Sequence, residues 1–371
     1  MNETDKQEVT PKEKRRPFHN LRYKLLQFNN WGYMRILLVL LLLPLAGFLA
    51  ASSLGGYHLL KEIPVPGDGS KDYLTVDEGA RRLYVSHGTQ VNVIDLDSEQ
   101  VVGKVSNLKG VHGIAVVPKL GRGFITNGLL NTVTVFDLKT LEHLDEVKAS
   151  ITPDGIVYDS ATERVFAANK HADSVTAIEA ADGKVAGTIE LNADPESPVS
   201  DGKGNIWVSL EHWSTLVRID GRTLTVTGRW STAPRCDHPA PMAMDRKGNR
   251  LFIGCGNEVL DVANPDTGEA IATVPIGSDV DAVAFDPSTG LIFSANDGSV
   301  TVIHQDSLDK YSVVETFKTQ PQTVTLALDP KTHRIYVSSS ELGPAPAPTP
   351  VNQHPDRPML PGTFKVLVFG K

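Results

Sequence analysis

The sequence predicts an all-β fold: a seven-bladed β-propeller, closed by an N-terminal outer strand and preceded by one transmembrane helix. Three observations predict it. A four-strand pattern recurs seven times between residues 70 and 371. Its strands are four to six residues long, rich in Val, Ile, Tyr and Phe, and bounded by Gly, Asp, Asn and Pro, as short sheet strands are. Before the repeats stands an uncharged stretch, ILLVLLLLPLAGFLAASSL, at residues 36–54.

Residues 1–35 form the first segment. Residues 1–56 carry a net charge of +4, which leaves −12 of the chain's −8 total on the rest. Seven basic residues lie within 12–35, and the first after the apolar stretch is Lys61. Nineteen residues at about 1.5 Å each reach about 28 Å, close to the thickness of a hydrocarbon core. Pro44 is tolerated in such a span. The positive-inside rule then puts 1–35 in the cytoplasm as a basic, disordered head. The body, 57–371, lies on the periplasmic or extracellular side of the inner membrane, with a single pass. A cleaved signal peptide is the rival reading, with Ala50, Ala51, Ser52 and Ser53 near the cleavage site. The long leader favours an uncleaved anchor.

The segment His58–Val65 has the character of a fourth, outer strand, like residues 184–191. The blades follow. Their second strands are RLYVSH (82–87), GFITN (123–127), RVFAAN (164–169), NIWVSL (205–210), RLFIGC (250–255), LIFSAN (291–296) and RIYVSS (334–339). The preceding turns are anchored at Asp77, Pro118, Asp159, Asp201, Asp245, Asp286 and Asp329, spaced 41 to 44 residues apart. Four strands per ~42 residues is the period of a propeller blade. The seventh blade supplies only three strands before residue 371, so the strand at 58–65 completes it and removes an open edge.

Composition narrows the function classes. Hydrophobic content of 40% and charged content of 22% suit a packed protein. The acidic body argues against nucleic acid as a partner, since phosphate binding needs a basic face. Two cysteines build neither a disulfide scaffold nor a four-thiolate zinc site. There is no Gly-x-Ser-x-Gly elbow, no Cys-x-x-Cys-His haem site, no dinucleotide glycine motif and no phosphate-binding loop.

The Tyr-Val-Ser/Thr-Asn-like second strand, the Val-x-Val-Ile-Asp third strand and Pro153-Asp-Gly-Ile-Val157 resemble the YncE-like, YVTN-repeat seven-bladed propellers of bacteria. The resemblance covers about 57–371. It is specific for the fold and weak for chemistry. It implies an exported protein, and binding more readily than catalysis.

In such a ring the starts of the inner strands and the loops between second and third strands share one face, here called the top. His87, His171 and His212 end second strands or follow them, and His112 and His238 precede inner strands. His112, Asp154, Glu196, His238 and Asp281 are expected to ring the channel mouth. Imidazole plus carboxylate suits a divalent metal, and His87 with His112 is the pair most readily brought together. Polar channel lining is the plainer expectation. Cys236 and Cys255 both fall at the top of blade 5, so an exported protein is expected to bridge them, with free thiols or a Cys–His pair including His238 as alternatives. Residues 341–361 hold seven prolines; they read as an extended loop, a lid over the channel or a docking arm. Trp213 is a candidate stacking aromatic beside His212.

Two functions follow. One is a membrane-anchored extracytoplasmic module that binds a protein or small molecule on its top face, with no certain cofactor. The other is a metal-dependent hydrolase or lyase, lactonase-like, with its site at the channel mouth.

Overall fold

The structure, a computed structural model, describes residues 55–67, 69–347, 355 and 357–371. These residues fall in the compact unit Ser52–Lys371. Among them no helix is long and apolar enough to cross a membrane; the expected head at 1–35 and span at 36–54 lie outside the described residues.

The unit is seven four-stranded antiparallel sheets in one ring. The inner strands are Lys71–Asp77, Val111–Val117, Pro153–Asp159, Pro195–Ser200, Pro239–Asp245, Ala282–Asp286 and Leu326–Asp329. In blades 1 to 6 the chain runs outward strand by strand. Blade 7 is Leu326–Asp329, Arg334–Ser339, Lys365–Gly370 and then His58–Pro64. The expected closure by an N-terminal outer strand is therefore present. Tyr57, just before that strand, is buried against Phe293 and Phe317, and its hydroxyl donates to the His333 carbonyl at 3.0 Å.

Alternation builds the core. In Arg82–His87, Leu83 and Val85 pack toward blade 7 with Tyr336 and Val366, whereas Tyr84 packs toward blade 2 with Ile125 and Phe136. Successive side chains point to opposite faces of a strand, so every blade is apolar on both faces and seals against two neighbours.

The bottom ends of the inner strands carry the repeated aspartates. Asp77, Asp159, Asp245, Asp286 and Asp329 are buried and accept backbone N–H groups of the following turn, for example Ala80 N at 3.0 Å and Gly248 N at 2.8 Å. An aspartate bonding two or three residues ahead is what makes such turns tight. Several also tie blades together. Arg81 holds Asp329 through two bonds of 2.7 and 2.8 Å across the blade 7–1 seam, and His333 Nδ1 meets Asp286 at 2.7 Å.

The disulfide expected in blade 5 is present, Cys236–Cys255, with Cα atoms 5.2 Å apart. Asn127, Asn169 and Asn296 end their second strands fully buried, bonded to Thr134, Thr176 and Thr301 on the next strand. They clamp strands rather than line a site.

Candidate functional site at the channel mouth

Near their tops, the inner strands of blades 1 to 5 leave regular register with their second strands, between Lys71/Leu74, Val111/Ile114, Pro153/Ile156, Pro195/Pro198 and Pro239/Met242. Bulges of this kind re-aim side chains and concentrate beside active sites. The residues in these gaps include Asp72, His112, Asp154, Glu196 and Ala240. In blade 6 the corresponding residue is Asp281, five before the turn aspartate, as Asp72 is five before Asp77.

Close approach of the inner strands depends on glycine. A Cβ on Gly113 would stand 2.7 Å from the Asp154 carbonyl oxygen, and one on Gly155 2.6 Å from that of Glu196. Hydroxyls near the second-strand ends hold the same carbonyls: Ser86 donates to His112 O, Thr126 to Asp154 O at 2.6 Å, and Ser209 to Ala240 O at 2.8 Å. The backbones of blades 1 and 2, 2 and 3, and 4 and 5 are thus pinned together at the residue that faces the channel.

The side chains so placed form one electrostatic unit. His112 Nδ1 lies 2.5 Å from Asp72 Oδ2 and 3.7 Å from Asp154 Oδ1. Lys170 Nζ bonds Glu196 and lies 3.3 Å from Glu211 Oε2. Burial and the Asp72 charge push Asp154 up to about 6, against the pull of His112 and Lys170. Burial and the Asp154 charge push Glu196 up to about 7, although Lys170 opposes them. Burial, with Asp72, Glu196 and Asp154, holds Asp281 well above the carboxylate range. Burial works against a charged His112, but its bond to Asp72 and the charges of Asp154 and Asp72 carry it up to about 8. Tyr73, next to Asp72, is driven well up by burial and by the Asp154 and Glu196 charges. Mutual repulsion of like charges in a desolvated site produces this pattern. Below the mouth, a cavity of about 190 Å³ runs among Tyr73, Ile114, Ile156, Pro198, Met242, Asp281 and Thr325.

Asp72, His112 and Asp154 each offer a ligand atom, all within 4.8 Å of one another, a spacing that can hold a metal ion. A second such group is Asp194, Glu211 and His212.

The other expected residues are distributed as follows. Asp154, Glu196 and Asp281 join the unit around His112. His87 does not: its ring is buried and stacked on Phe364 of blade 7, centroids 3.9 Å apart. The pairing of His87 with His112 is corrected by one residue of strand parity, since Ser86, not His87, faces blade 2. His238 is likewise off the ring. It precedes Ala240, the residue at the channel position, by two, and its half-exposed ring stands edge-on to His212 at 5.8 Å. His171 is exposed and within 3.1 Å of Thr152 Oγ1. Its neighbour Lys170 is the residue that enters the site. Asp72, Lys170 and Glu211 were missed. Asp72 was findable, standing five residues before a turn aspartate as Asp154 and Asp281 do.

The base of the proline-rich loop is a short antiparallel pair, with Gly343 N bonded to Pro358 O at 2.8 Å and Leu360 N to Glu341 O at 2.8 Å. Met359, Leu360 and Pro361 line a second cavity of about 190 Å³, shared with His87, Ser340 and Phe364. The expectation of a lid over the channel rests on the loop's tip, and residues 348–354 and 356 lie outside those described.

No family model matches the chain, and no curated protein matches it. Among solved structures, a chain from Kuenenia stuttgartiensis hydrazine synthase superposes with a TM-score of 0.64. The match covers 76% of this chain and 96% of that one, at 15% sequence identity. A likeness at that identity concerns the fold alone.

Proposed function

We propose that the chain is a membrane-anchored, extracytoplasmic propeller of the YncE-like kind that binds a cationic group at the channel mouth of its top face. The anchor and location rest on the uncharged 36–54 and the +4 head; the family rests on the repeat motifs. The observation that carries the binding reading is the convergence of Asp72, Asp154, Glu196 and Asp281, in which the charges of Asp72, Asp154 and Glu196 raise the proton affinity of their neighbours. Such a cluster is short of positive charge. The chain's own Lys170 ammonium, set between Glu196 and Glu211, displays the kind of group the site takes. A ligand amine or guanidinium, or a basic side chain of a partner protein, would complete the neutralisation. Calorimetric titration of full-length protein with arginine methyl ester and with spermidine tests this. Binding that Asp154→Asn and Asp281→Asn each weaken supports it; no heat with either probe overturns it.

A second reading is the metal-dependent hydrolase or lyase. The spacing of Asp72, His112 and Asp154 favours it. Those three residues would hold the ion, which would supply Lewis acidity toward a bound carbonyl oxygen. The imidazole Nδ1 between two carboxylates is a donor set that zinc or manganese accepts, once the His112 proton has left. Metal binding that strengthens from pH 6 to 8.5 and disappears in His112→Ala, with hydrolysis of a simple lactone, would favour this reading over the first.

A further inference from the structure

A separate feature of the top face lies outside the channel, on the rim of blade 4. Asp194 precedes the inner strand Pro195–Ser200, and Glu211 and His212 sit on the short turn Glu211–Trp213 that follows the second strand. One oxygen or nitrogen from each of the three lies within 4.8 Å of the others, and Asp194 bonds His212 Nδ1. A second imidazole faces this group from the next connection. The His238 ring stands edge-to-face with His212, centroids 5.8 Å apart and planes at 82°.

The His238 side is fixed from three directions. The Cys236–Cys255 disulfide ties its loop to the second strand of blade 5. Gly256 N donates to Asp237 O at 2.7 Å, and Asp237 N donates to Asn257 Oδ1 at 2.9 Å. Ser214 Oγ, just past the turn that carries His212, donates to Asp237 Oδ1 at 2.9 Å, so the two imidazole-bearing loops are tied to each other. The disulfide therefore does more than brace a blade: it sets a histidine against a histidine of the neighbouring one.

We infer that Asp194, Glu211, His212 and His238 form a rim site for a borderline divalent transition ion, zinc, copper or nickel. Two imidazoles with two carboxylates match those ions, whereas calcium and magnesium favour all-oxygen sets. Because the His212 side chain is 63% exposed and that of His238 51%, the ion would keep a face open to solvent. The Asp194 bond to His212 Nδ1 holds that ring in place within the group. The site is distinct from the Asp72–His112–Asp154 group, although Lys170, which reaches Glu211, stands between the two.

Trp213, 64% exposed, is adjacent in sequence to His212, so its fluorescence reports occupancy. Full-length protein is titrated with ZnCl₂ by calorimetry and with CuCl₂ by tryptophan quenching, each against CaCl₂. The expected result is zinc binding and copper quenching, with no response to calcium. His212→Ala and His238→Ala should each weaken zinc binding by about tenfold or more, while His112→Ala leaves the rim event unchanged. Trp213→Phe should remove the quenching and keep the calorimetric binding. Equal responses to calcium and zinc, or zinc binding unaltered in both His212→Ala and His238→Ala, would overturn the proposal. Loss of binding in His112→Ala alone would assign the ion to the channel instead. Both histidines are surface residues of a disulfide-fixed face, and unchanged thermal unfolding of the variants confirms that they fold.

Discussion

In blades 1, 3 and 6 a carboxylate stands at both the top and the bottom of the inner strand, and in blade 6 the two ends behave oppositely. Asp281 immediately precedes the inner strand of blade 6 and Asp286, five residues on, ends it. Burial alone would raise both. At the bottom, hydrogen bonds from Ser288, Thr289 and His333 bring Asp286 below the usual range. At the top, Asp281 meets the charges of Asp72, Glu196 and Asp154 and is held well above it. Asp329 repeats the bottom pattern through Arg81, Thr332 and Lys331. Sequence composition treats these residues alike. Their surroundings make one set a fastening and the other a cluster of uncompensated charge, which is where a ligand has something to gain.

The sharpest way to break this comparison is to remove one carboxylate from each end. Asp329→Ala leaves Arg81 without its buried partner at the closing seam. Breaking such a pair should lower stability by about 3–5 kcal/mol, read as a fall in the urea midpoint at constant slope. Asp281→Asn should do the reverse and raise the midpoint at pH 7.5. If both substitutions destabilise alike, the distinction between the ends is wrong.

The top is not uniformly under electrostatic tension. Blade 5 has Ala240 at the channel position and a covalent brace on the rim. Replacing Cys236 and Cys255 by Ser opens a loop of about 18 residues and should cost about 3 kcal/mol. The expected signature is a lowered thermal midpoint together with loss of the His212–His238 arrangement, and hence of zinc binding.

The pH profile sharpens the comparison further. Asp154, Glu196 and His112 hold protons more tightly folded than unfolded, with folded values of about 6, 7 and 8. Their contribution is therefore complete below the unfolded values and is lost as pH rises through the folded ones. The thermal midpoint should fall steadily from about pH 5 to about pH 8.5. Asp286 and Asp329 act in the other direction: their stabilisation is present above the unfolded carboxylate value, about 3.9, and is lost as pH falls through their lowered values. Asp154→Asn should flatten the neutral limb and leave the acid limb intact.

Much of this ring is visible in the chain. Seven second strands at a near-constant interval determine blade number. The apolar segment at 58–65 supplies the missing outer strand, and two cysteines in one blade point to their bridge. Periodicity decides such features because each blade must cover its neighbours. The site depends on finer variables. Whether His87 or Ser86 faces blade 2 is a matter of one residue, and the inner-strand bulges move a side chain off the ladder without changing the repeat. His238 carries the right chemistry two residues from the position that faces the channel. Lys170 lies beside the more conspicuous His171, and nothing in the residue types says which one turns inward.

The smallest expected effect probes how the top cluster keeps its spacing. Thr126 is fully buried, accepts from Gly113 N at 2.8 Å and donates to Asp154 O at 2.6 Å. Its hydroxyl joins the backbone beside His112 to the backbone of Asp154 across the blade 2–3 seam. Thr126→Val keeps the shape and removes both bonds, a loss of about 1–2 kcal/mol for buried groups left unmet. Thr126 itself is not a proposed ligand. If the hydroxyl sets the distance between His112 and Asp154, cation binding at the mouth should weaken several-fold, with no change at the rim. Thr126→Ala should weaken the site as Val does, whereas Thr126→Ser should restore it. Binding that follows stability across all three variants, rather than the hydroxyl, would mean that the ring as a whole, not this bond, sets the spacing.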